Sequence, residues 1–136
     1  MDNNNTLETI GDRPLLKETE LGMVYKIGDL AQEFDVTLRT LRFYEDRGLV
    51  TPARSGTTRL YSEQDRERLR IALFCKRIGL ALGEIGEMLD LHDSEGTSFA
   101  MDKIRTIYSS QLKSLREQQI ETERTISDLE VAIERL

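Results

Sequence analysis

Apolar positions between residues 27 and 46 follow two short helical repeats in succession. The first repeat places apolar residues at i, i+3, i+4 and i+7, which predicts a short amphipathic helix. Its members are Ile27, Leu30, Ala31 and Phe34. In the second repeat Leu38 and Leu41 fall on one side and can pack on the first helix. Since only residues 35–37 separate the repeats, the spacing predicts two helices joined by a tight turn.

The second predicted helix has polar residues at both ends and a basic outer side. Thr37 stands where a side-chain N-cap begins a helix, and Gly48 stands where a left-handed C-cap ends one. Arg39, Arg42 and Phe43 lie together on the side away from the leucines. This layout is typical of a helix-turn-helix, whose second helix enters the major groove of DNA. The alternative is an ordinary all-α core with a solvated charged face.

Residues 50–62 predict a small β-hairpin, or wing. Ser55 and Gly56 supply the turn, and the residues around them favour the extended state. Arg54 and Arg59 flank the turn on its two arms, where both can reach phosphates beside the groove that the helix occupies. The alternative is a surface hairpin whose arginines are simply solvated.

Two further helices are predicted before residue 93. Ser62 is a suitable N-cap for the first, which ends at Gly79. The second begins at about Gly83 and carries apolar residues at core spacing. These residues are Ile85, Met88 and Leu89.

The segment from Met101 to Leu136 contains neither proline nor glycine and carries one apolar stripe. From Leu112 onward the steps alternate between three and four residues, which predicts a coiled-coil helix. The predicted dimerisation residues are Leu112, Leu115, Ile126, Leu129 and Ile133. At about 1.5 Å per residue this helix would extend over roughly 54 Å, so a single copy would leave the stripe in water. A homodimer is therefore expected, and a helix folded back on its own domain is the alternative.

Charge is distributed unevenly along the chain. The whole chain carries −6, but residues 23–80 carry +3, while residues 1–22 carry −3 and residues 81–136 carry −6. Only the segment predicted to read DNA is positive, which predicts binding that depends on placed contacts and weakens with salt. Residues 1–22 lack periodicity and predict a mobile acidic tail, with docking through Leu15 and Leu16 as the alternative.

The remaining composition predicts neither a metal site nor a cofactor. The single cysteine, Cys75, is flanked by apolar residues and predicts a buried small hydrophobe. His92 is the only histidine and, beside Asp93 and Glu95 in a predicted loop, is expected to be solvated. No nucleophile with a base and no phosphate-binding glycine loop occurs, so we expect no enzyme activity. No apolar run reaches the length of a membrane span, and we expect a cytoplasmic, nucleoid-associated protein.

Three motifs follow one another between Val24 and about Asp93. They read YKIGDLAQEFDVTLRTLRFYEDRGLVTP, RSGTTRLYSEQDRERLRIALFCKRIG and LGEIGEML. In this order and spacing they resemble the DNA-binding domain of the mercury-resistance regulator (MerR) family. The resemblance implies a mainly α fold with a mobile tail (1–22), a winged helix-turn-helix DNA-binding domain (23–93) and a long coiled-coil dimerisation helix (98–136). In this family the dimerisation helices pair antiparallel.

The resemblance also assigns roles to individual residues. The residues at the major groove would be Arg39, Thr40, Arg42, Phe43 and Tyr44. Those on phosphates from the wing would be Arg54, Arg59 and Tyr61. Metal and redox sensors of the family present cysteines near the ends of the dimerisation helix, whereas this sequence has none from Lys76 to Leu136. A member without metal-sensing cysteines is therefore expected.

The function implied is that of a transcriptional regulator. It would bind a pseudo-palindromic site in double-stranded promoter DNA as a homodimer and distort that DNA so that RNA polymerase can engage it. The alternative is an architectural or DNA-tethering protein that recruits a partner through its coiled coil. The operator, the regulated genes, the effector and the sign of regulation stay open at this point.

Overall fold

The computed structural model describes the backbone of residues 8–10 and 13–15 and all atoms of residues 24–94 and 96–136. The described residues are mainly helical, as predicted, with five α-helices and five short β-strands. They divide into two compact units, Met1–Arg77 and Ile78–Leu136.

The first unit contains all five described strands. Strands β1 (Glu8–Ile10) and β2 (Arg13–Leu15) pair antiparallel. Strands β3 (Val24–Lys26), β4 (Ala53–Ser55) and β5 (Thr58–Ser62) form an antiparallel sheet in the order β3–β5–β4. The β4–β5 hairpin is the predicted wing, whereas β3 was not predicted. Apart from β1 and β2, the predicted tail lies outside the described residues, so its mobility and its docking alternative stay predictions.

Three described helices also belong to the first unit. They are α1 (Ile27–Phe34), α2 (Leu38–Asp46) and α3 (Glu63–Arg77). Asp35 takes a left-handed conformation with φ 55°, which closes α1 and lets the chain turn into α2. Ser62 and Asp65 form the predicted start of α3, because each accepts a hydrogen bond from the other's backbone N–H, at 3.0 and 3.1 Å.

The core of this unit fixes α2 against α1 and α3. Leu30 and Leu41 are fully buried, as is Cys75, which confirms the prediction for the thiol. Leu38 is 39% exposed, so of the two leucines expected to pack on α1 only Leu41 is buried. The helix pair is also held from outside, because the Arg66 guanidinium on α3 hydrogen-bonds both carboxylate oxygens of Glu33 on α1. That guanidinium lowers the pKa of the Glu33 carboxyl.

The second unit consists of two helices, α4 (Leu82–Asp93) and α5 (Ser98–Glu134). The three apolar residues predicted for α4 are buried, together with Ala100 and Ile104 of α5. Gln111 of α5 donates to the Ile78 carbonyl at 2.6 Å. Gly79 has a φ of 96°, a left-handed conformation that strains any residue with a Cβ, and an added Cβ would lie 2.9 Å from the Gln111 Nε2 atom and displace it.

Most of α5 has no tertiary partner in the described part of the chain. From Leu115 to Leu136 every residue is exposed. Among the described residues no helix is both long and apolar enough to cross a bilayer.

Candidate nucleic-acid interface

Helix α2 is fixed at both of its ends. At its start the Thr37 Oγ1 atom accepts a hydrogen bond from the Thr40 N–H at 3.1 Å, which is the predicted N-cap. At its end Gly48 has φ 75° and donates its N–H to the Glu45 carbonyl at 2.9 Å. Leu41 and Tyr44 anchor the inner side in the core. The outer side is therefore presented on a rigid element.

The outer side of α2 carries free cations and an aromatic ring. Arg39 and Arg42 are exposed, and neither forms an ion pair with any described residue. Phe43 is 42% exposed, and the Arg47 guanidinium lies 4.8 Å from the centre of its ring. Thr40 is half-buried, and its hydroxyl lies 3.0 Å from the Thr37 hydroxyl. Unpaired guanidinium groups of this kind are suited to phosphates and to guanine edges.

Two tyrosines assigned to DNA from the sequence lie in the core instead. Tyr44 is 3% exposed and Tyr61 is fully buried. Burial raises the pKa of both hydroxyls, that of Tyr61 to about 12. Neither side chain presents surface to a ligand in this structure, so the groove and phosphate contacts assigned to them from the sequence stay predictions. The two tyrosines support the helix and the wing from beneath.

The wing arginines face α2. Arg54 and Arg59 lie directly opposite each other across β4 and β5, on the two arms predicted from the sequence. Both donate to the carboxylate of Glu45, Arg54 with 2.6 Å between Nη2 and Oε2 and Arg59 through Nε to Oε1. Glu45 also raises the pKa of the Arg59 guanidinium. One carboxylate thus joins the recognition helix to both arms of the wing.

This contact changes what each wing arginine can do. The Arg54 side chain is 41% exposed and can still offer nitrogen atoms to a phosphate, whereas the Arg59 side chain is 17% exposed. Arg59 is therefore better placed to position the wing than to contact DNA. Sequence reasoning missed Glu45, although an acidic residue on the inner side of an amphipathic helix was a usable indication of a buried cation partner.

The predicted dimerisation residues form an apolar stripe on α5 that is open to solvent in the single chain. Their exposed fractions run from 39% to 60%. The residues are Leu112, Leu115, Ile126, Leu129 and Ile133. An apolar stripe of this length, on the part of a helix that packs on no other described element, is typical of a self-association surface.

His92 does not lie where the sequence placed it. It belongs to the last turn of α4 rather than to a loop, and its Nε2 atom is buried without a hydrogen-bond partner in the described part of the chain. Among the described residues no group of three or more histidine, cysteine, aspartate or glutamate side chains could hold a metal ion.

Two family models match this sequence over most of its length. The model described as "MerR HTH family regulatory protein" matches residues 25–91, and the model described as "MerR, DNA binding" matches residues 66–132. The first covers α1, α2, the wing, α3 and most of α4, and the second continues from α3 through most of α5. The matched residues therefore include the candidate interface and, apart from Ile133, the exposed stripe.

Individual proteins show the same likeness. A ZntR homolog of Haemophilus influenzae, an HTH-type transcriptional regulator, is 37% identical over 71 residues, which are 51% of this chain and 53% of that protein. This chain thus spans about half the length of that curated relative. The lead(II) complex of the transcription regulator PbrR691 from Ralstonia metallidurans CH34 is 33% identical, with a TM-score of 0.53 over 76% of this chain and 82% of that chain.

A further solved structure shows the likeness of the fold alone. HiNmlR, described as a MerR family regulator lacking the sensor domain and bound to promoter DNA, is 21% identical. Its TM-score is 0.63 over 77% of this chain and 80% of that chain.

Proposed function

Because this chain belongs to the MerR family of helix-turn-helix regulatory proteins, we propose that it regulates transcription by sequence-specific binding to promoter DNA. It acts as a homodimer on a pseudo-palindromic site, and it is a regulator rather than an enzyme. The promoter DNA is distorted on binding so that RNA polymerase can engage it, an indirect-readout mechanism that rests on the family membership.

The observation that carries the proposal is the pair of unpaired arginines on α2. The chain is acidic overall, and Arg54, Arg59, Arg66 and Arg70 of the first unit each pair with a glutamate. Arg39 and Arg42 are exposed on the helix that the fold places second in a helix-turn-helix, and they have no such partner among the described residues. Arg42 supplies base or phosphate contacts in the groove, Arg39 and Thr40 lie beside it, and Arg54 adds a phosphate contact from the wing.

The spacing of the stripe on α5 supports an antiparallel dimer. Beyond the buried Ile104, its apolar positions are arranged symmetrically about Gln119 to within one residue, so that Tyr108 matches Leu129 and Leu112 matches Ile126. An antiparallel pair centred there brings each of these residues against its counterpart in the other copy. A two-fold axis then sets two copies of α2 on one face of DNA, about 34 Å apart.

The same sequence argues against a soft-metal effector. The only thiol, that of Cys75, is buried in the first unit, and the dimerisation helix has none. We expect no metal or cofactor requirement for DNA binding.

Selection of bound fragments from the source genome tests the proposal. Wild-type protein should enrich fragments that share an inverted repeat at promoters, and Arg42→Ala should lose this enrichment at equal protein concentration. Enrichment without a shared sequence, or unchanged enrichment by the variant, would contradict sequence-specific reading through α2. Recovery of a foreign protein on α5 in place of a second copy would favour the tethering alternative.

A further inference from the structure

A groove of about 770 Å³ lies between α2 and the second half of α3. Its apolar lining includes Phe34, Phe43 and Phe74, and its cationic lining includes Arg39, Lys76 and Arg77. We call it the α2–α3 groove. Its volume falls in the range of about 300–1,000 Å³ that is typical of sites for small ligands, and such sites are mostly apolar with a few polar groups.

The aromatic lining is not explained by DNA reading. Phe74 is 45% exposed although it belongs to α3, outside the recognition helix, and Phe43 is 42% exposed on the neighbouring side of α2. Two large rings that share one concave surface leave a substantial apolar area in water, which is typical of a binding surface. Phe34, at the end of α1, extends the same surface.

Three of the four cations that line the groove differ from the other cations nearby. Arg39, Lys76 and Arg77 are exposed and have no ion pair with any described residue. The fourth, Arg70, pairs with Glu67, just as Arg54, Arg59 and Arg66 outside the groove each pair with a glutamate. Lys76 and Arg77 lie in the last turn of α3, where the helix dipole favours positive charge. The dipole accounts for the two charges but not for the apolar groove beside them.

We propose that the α2–α3 groove binds a small amphipathic anion, with an aromatic or acyl body on the phenylalanines and its acidic group at Lys76 and Arg77. Arg39 and Phe43 belong both to the groove and to the outer side of α2. A bound anion therefore neutralises and covers part of the surface that faces DNA, so ligand and DNA compete. This proposal concerns a ligand and goes beyond the DNA-binding function.

Fluorescence titration of the full chain, without DNA, tests the ligand site. The probe is 8-anilinonaphthalene-1-sulfonate, and its neutral counterpart N-phenyl-1-naphthylamine lacks only the acidic group. We expect saturable binding of one sulfonate probe per chain and binding of the neutral probe that is weaker by about fivefold. Phe74→Ala should weaken sulfonate binding about tenfold, and Lys76→Gln with Arg77→Gln about fivefold.

The matched control is Phe99→Ala, which removes a ring that is 72% exposed on α5, outside the groove. It should change probe binding by less than about twofold. Thermal unfolding of each variant checks that the fold persists. We expect it to persist in Phe74→Ala because the Phe74 side chain is exposed. Equal losses in Phe74→Ala and Phe99→Ala, equal binding of the two probes, or binding without saturation would overturn the site. Probe affinity that rises on dilution would also overturn it, because a second copy of the chain would then occupy the groove.

Competition between the probe and DNA is measured separately from DNA binding itself. The cognate duplex should displace the sulfonate probe from wild-type protein, and Phe74→Ala should still bind the duplex with wild-type affinity. Probe and duplex bound together without mutual effect would overturn the competition. Absence of duplex binding in the wild type with the probe site intact would contradict the proposed function instead.

Discussion

The Glu45 carboxylate of α2 accepts a hydrogen bond from the Arg54 guanidinium of the wing, with 2.6 Å between Oε2 and Nη2. Its other oxygen accepts from Arg59, which lies directly opposite Arg54 in the hairpin. Like charges that face each other across two strands repel. Because the largely buried Glu45 carboxylate binds both guanidinium groups, it offsets this repulsion and attaches the wing to α2.

Glu45→Gln should loosen this attachment. The amide keeps the shape of the side chain but removes the charge, so we expect the free energy of unfolding to fall by about 1–2 kcal/mol. Affinity for cognate DNA should fall as well, because the wing is no longer held. Urea denaturation and fluorescence anisotropy measure the two effects. Glu121→Gln is the control, since it breaks an exposed pair with Arg124 and should change stability by less than about 1 kcal/mol. Equal losses in both variants would show that Glu45 has no special role.

Arg42→Ala and Arg59→Ala should differ in kind. Arg42 is exposed and unpaired, so its removal should weaken cognate binding by about 1–3 kcal/mol and leave stability unchanged. Arg59 is mostly buried against Glu45, so its removal should lower both stability and affinity. Thermal unfolding together with salt-dependent DNA titrations separates the two. A loss of stability in Arg42→Ala would contradict its assignment as an exposed DNA contact. If Arg59→Ala kept its stability and its DNA affinity depended less steeply on salt, by about one phosphate contact, Arg59 would be a DNA contact instead.

Local patterns were sufficient to predict most of the fold. The apolar period and the caps at Thr37, Gly48 and Ser62 placed α1 to α3 and the wing close to their observed bounds. Strand β3 was missed because three residues carry too little alternation, and its pairing with β5 is a long-range contact. His92 was placed in a loop because the polar residues after it suggested an earlier end to α4.

The interface was predicted only in part, for a physical reason. Helical spacing identifies which residues share a side, and it correctly placed Arg39 and Arg42 outside. Tyr44 and Tyr61 are amphipathic side chains whose burial depends on the packing of distant elements, which spacing does not report. The contacts of Glu45 join residues 9 and 14 positions apart through the wing, so they emerge only in three dimensions.

Tyr61→Phe should be tolerated and should remove a pH dependence. Burial raises the pKa of the Tyr61 hydroxyl to about 12, whereas an unfolded chain ionises tyrosine near pH 10. The free energy of unfolding of the wild type is therefore unaffected by this group below about pH 10 and falls by about 2–3 kcal/mol as the pH rises through about 12, whereas a phenylalanine has no proton to lose. Urea denaturation of both proteins between about pH 9 and 11 measures the difference, and a steeper fall in the phenylalanine variant would contradict it.

Tyr61→Phe also distinguishes a buried tyrosine from one that contacts a DNA phosphate, the role predicted from the sequence. The Tyr61 hydroxyl has no hydrogen-bond partner in the described part of the chain, so Tyr61→Phe should be at least as stable as wild type at neutral pH. It should also bind cognate DNA with unchanged affinity. A tenfold loss of DNA affinity in a variant that is still folded would show that the Tyr61 hydroxyl contacts DNA.

Leu129→Asp should prevent self-association. The side chain is 59% exposed in the single chain and lies on the proposed seam, so a charge there would be desolvated in the dimer. Sedimentation equilibrium should report a monomer at concentrations at which wild type is a dimer. Val131→Asp is the matched control, because Val131 is 42% exposed on the other side of the same helical turn. Dimers in Leu129→Asp, or monomers in both variants, would contradict the seam.

Hydroxyl-radical footprinting on a selected promoter fragment tests together the two parts of the proposal, dimerisation through α5 and DNA binding through α2. Wild-type protein should protect two half-sites on one face of the duplex, about 34 Å apart between their centres. Leu129→Asp, at the same concentration, should lose both protections together. One protected half-site in the wild type, or an unchanged footprint with the monomeric variant, would contradict binding by paired recognition helices.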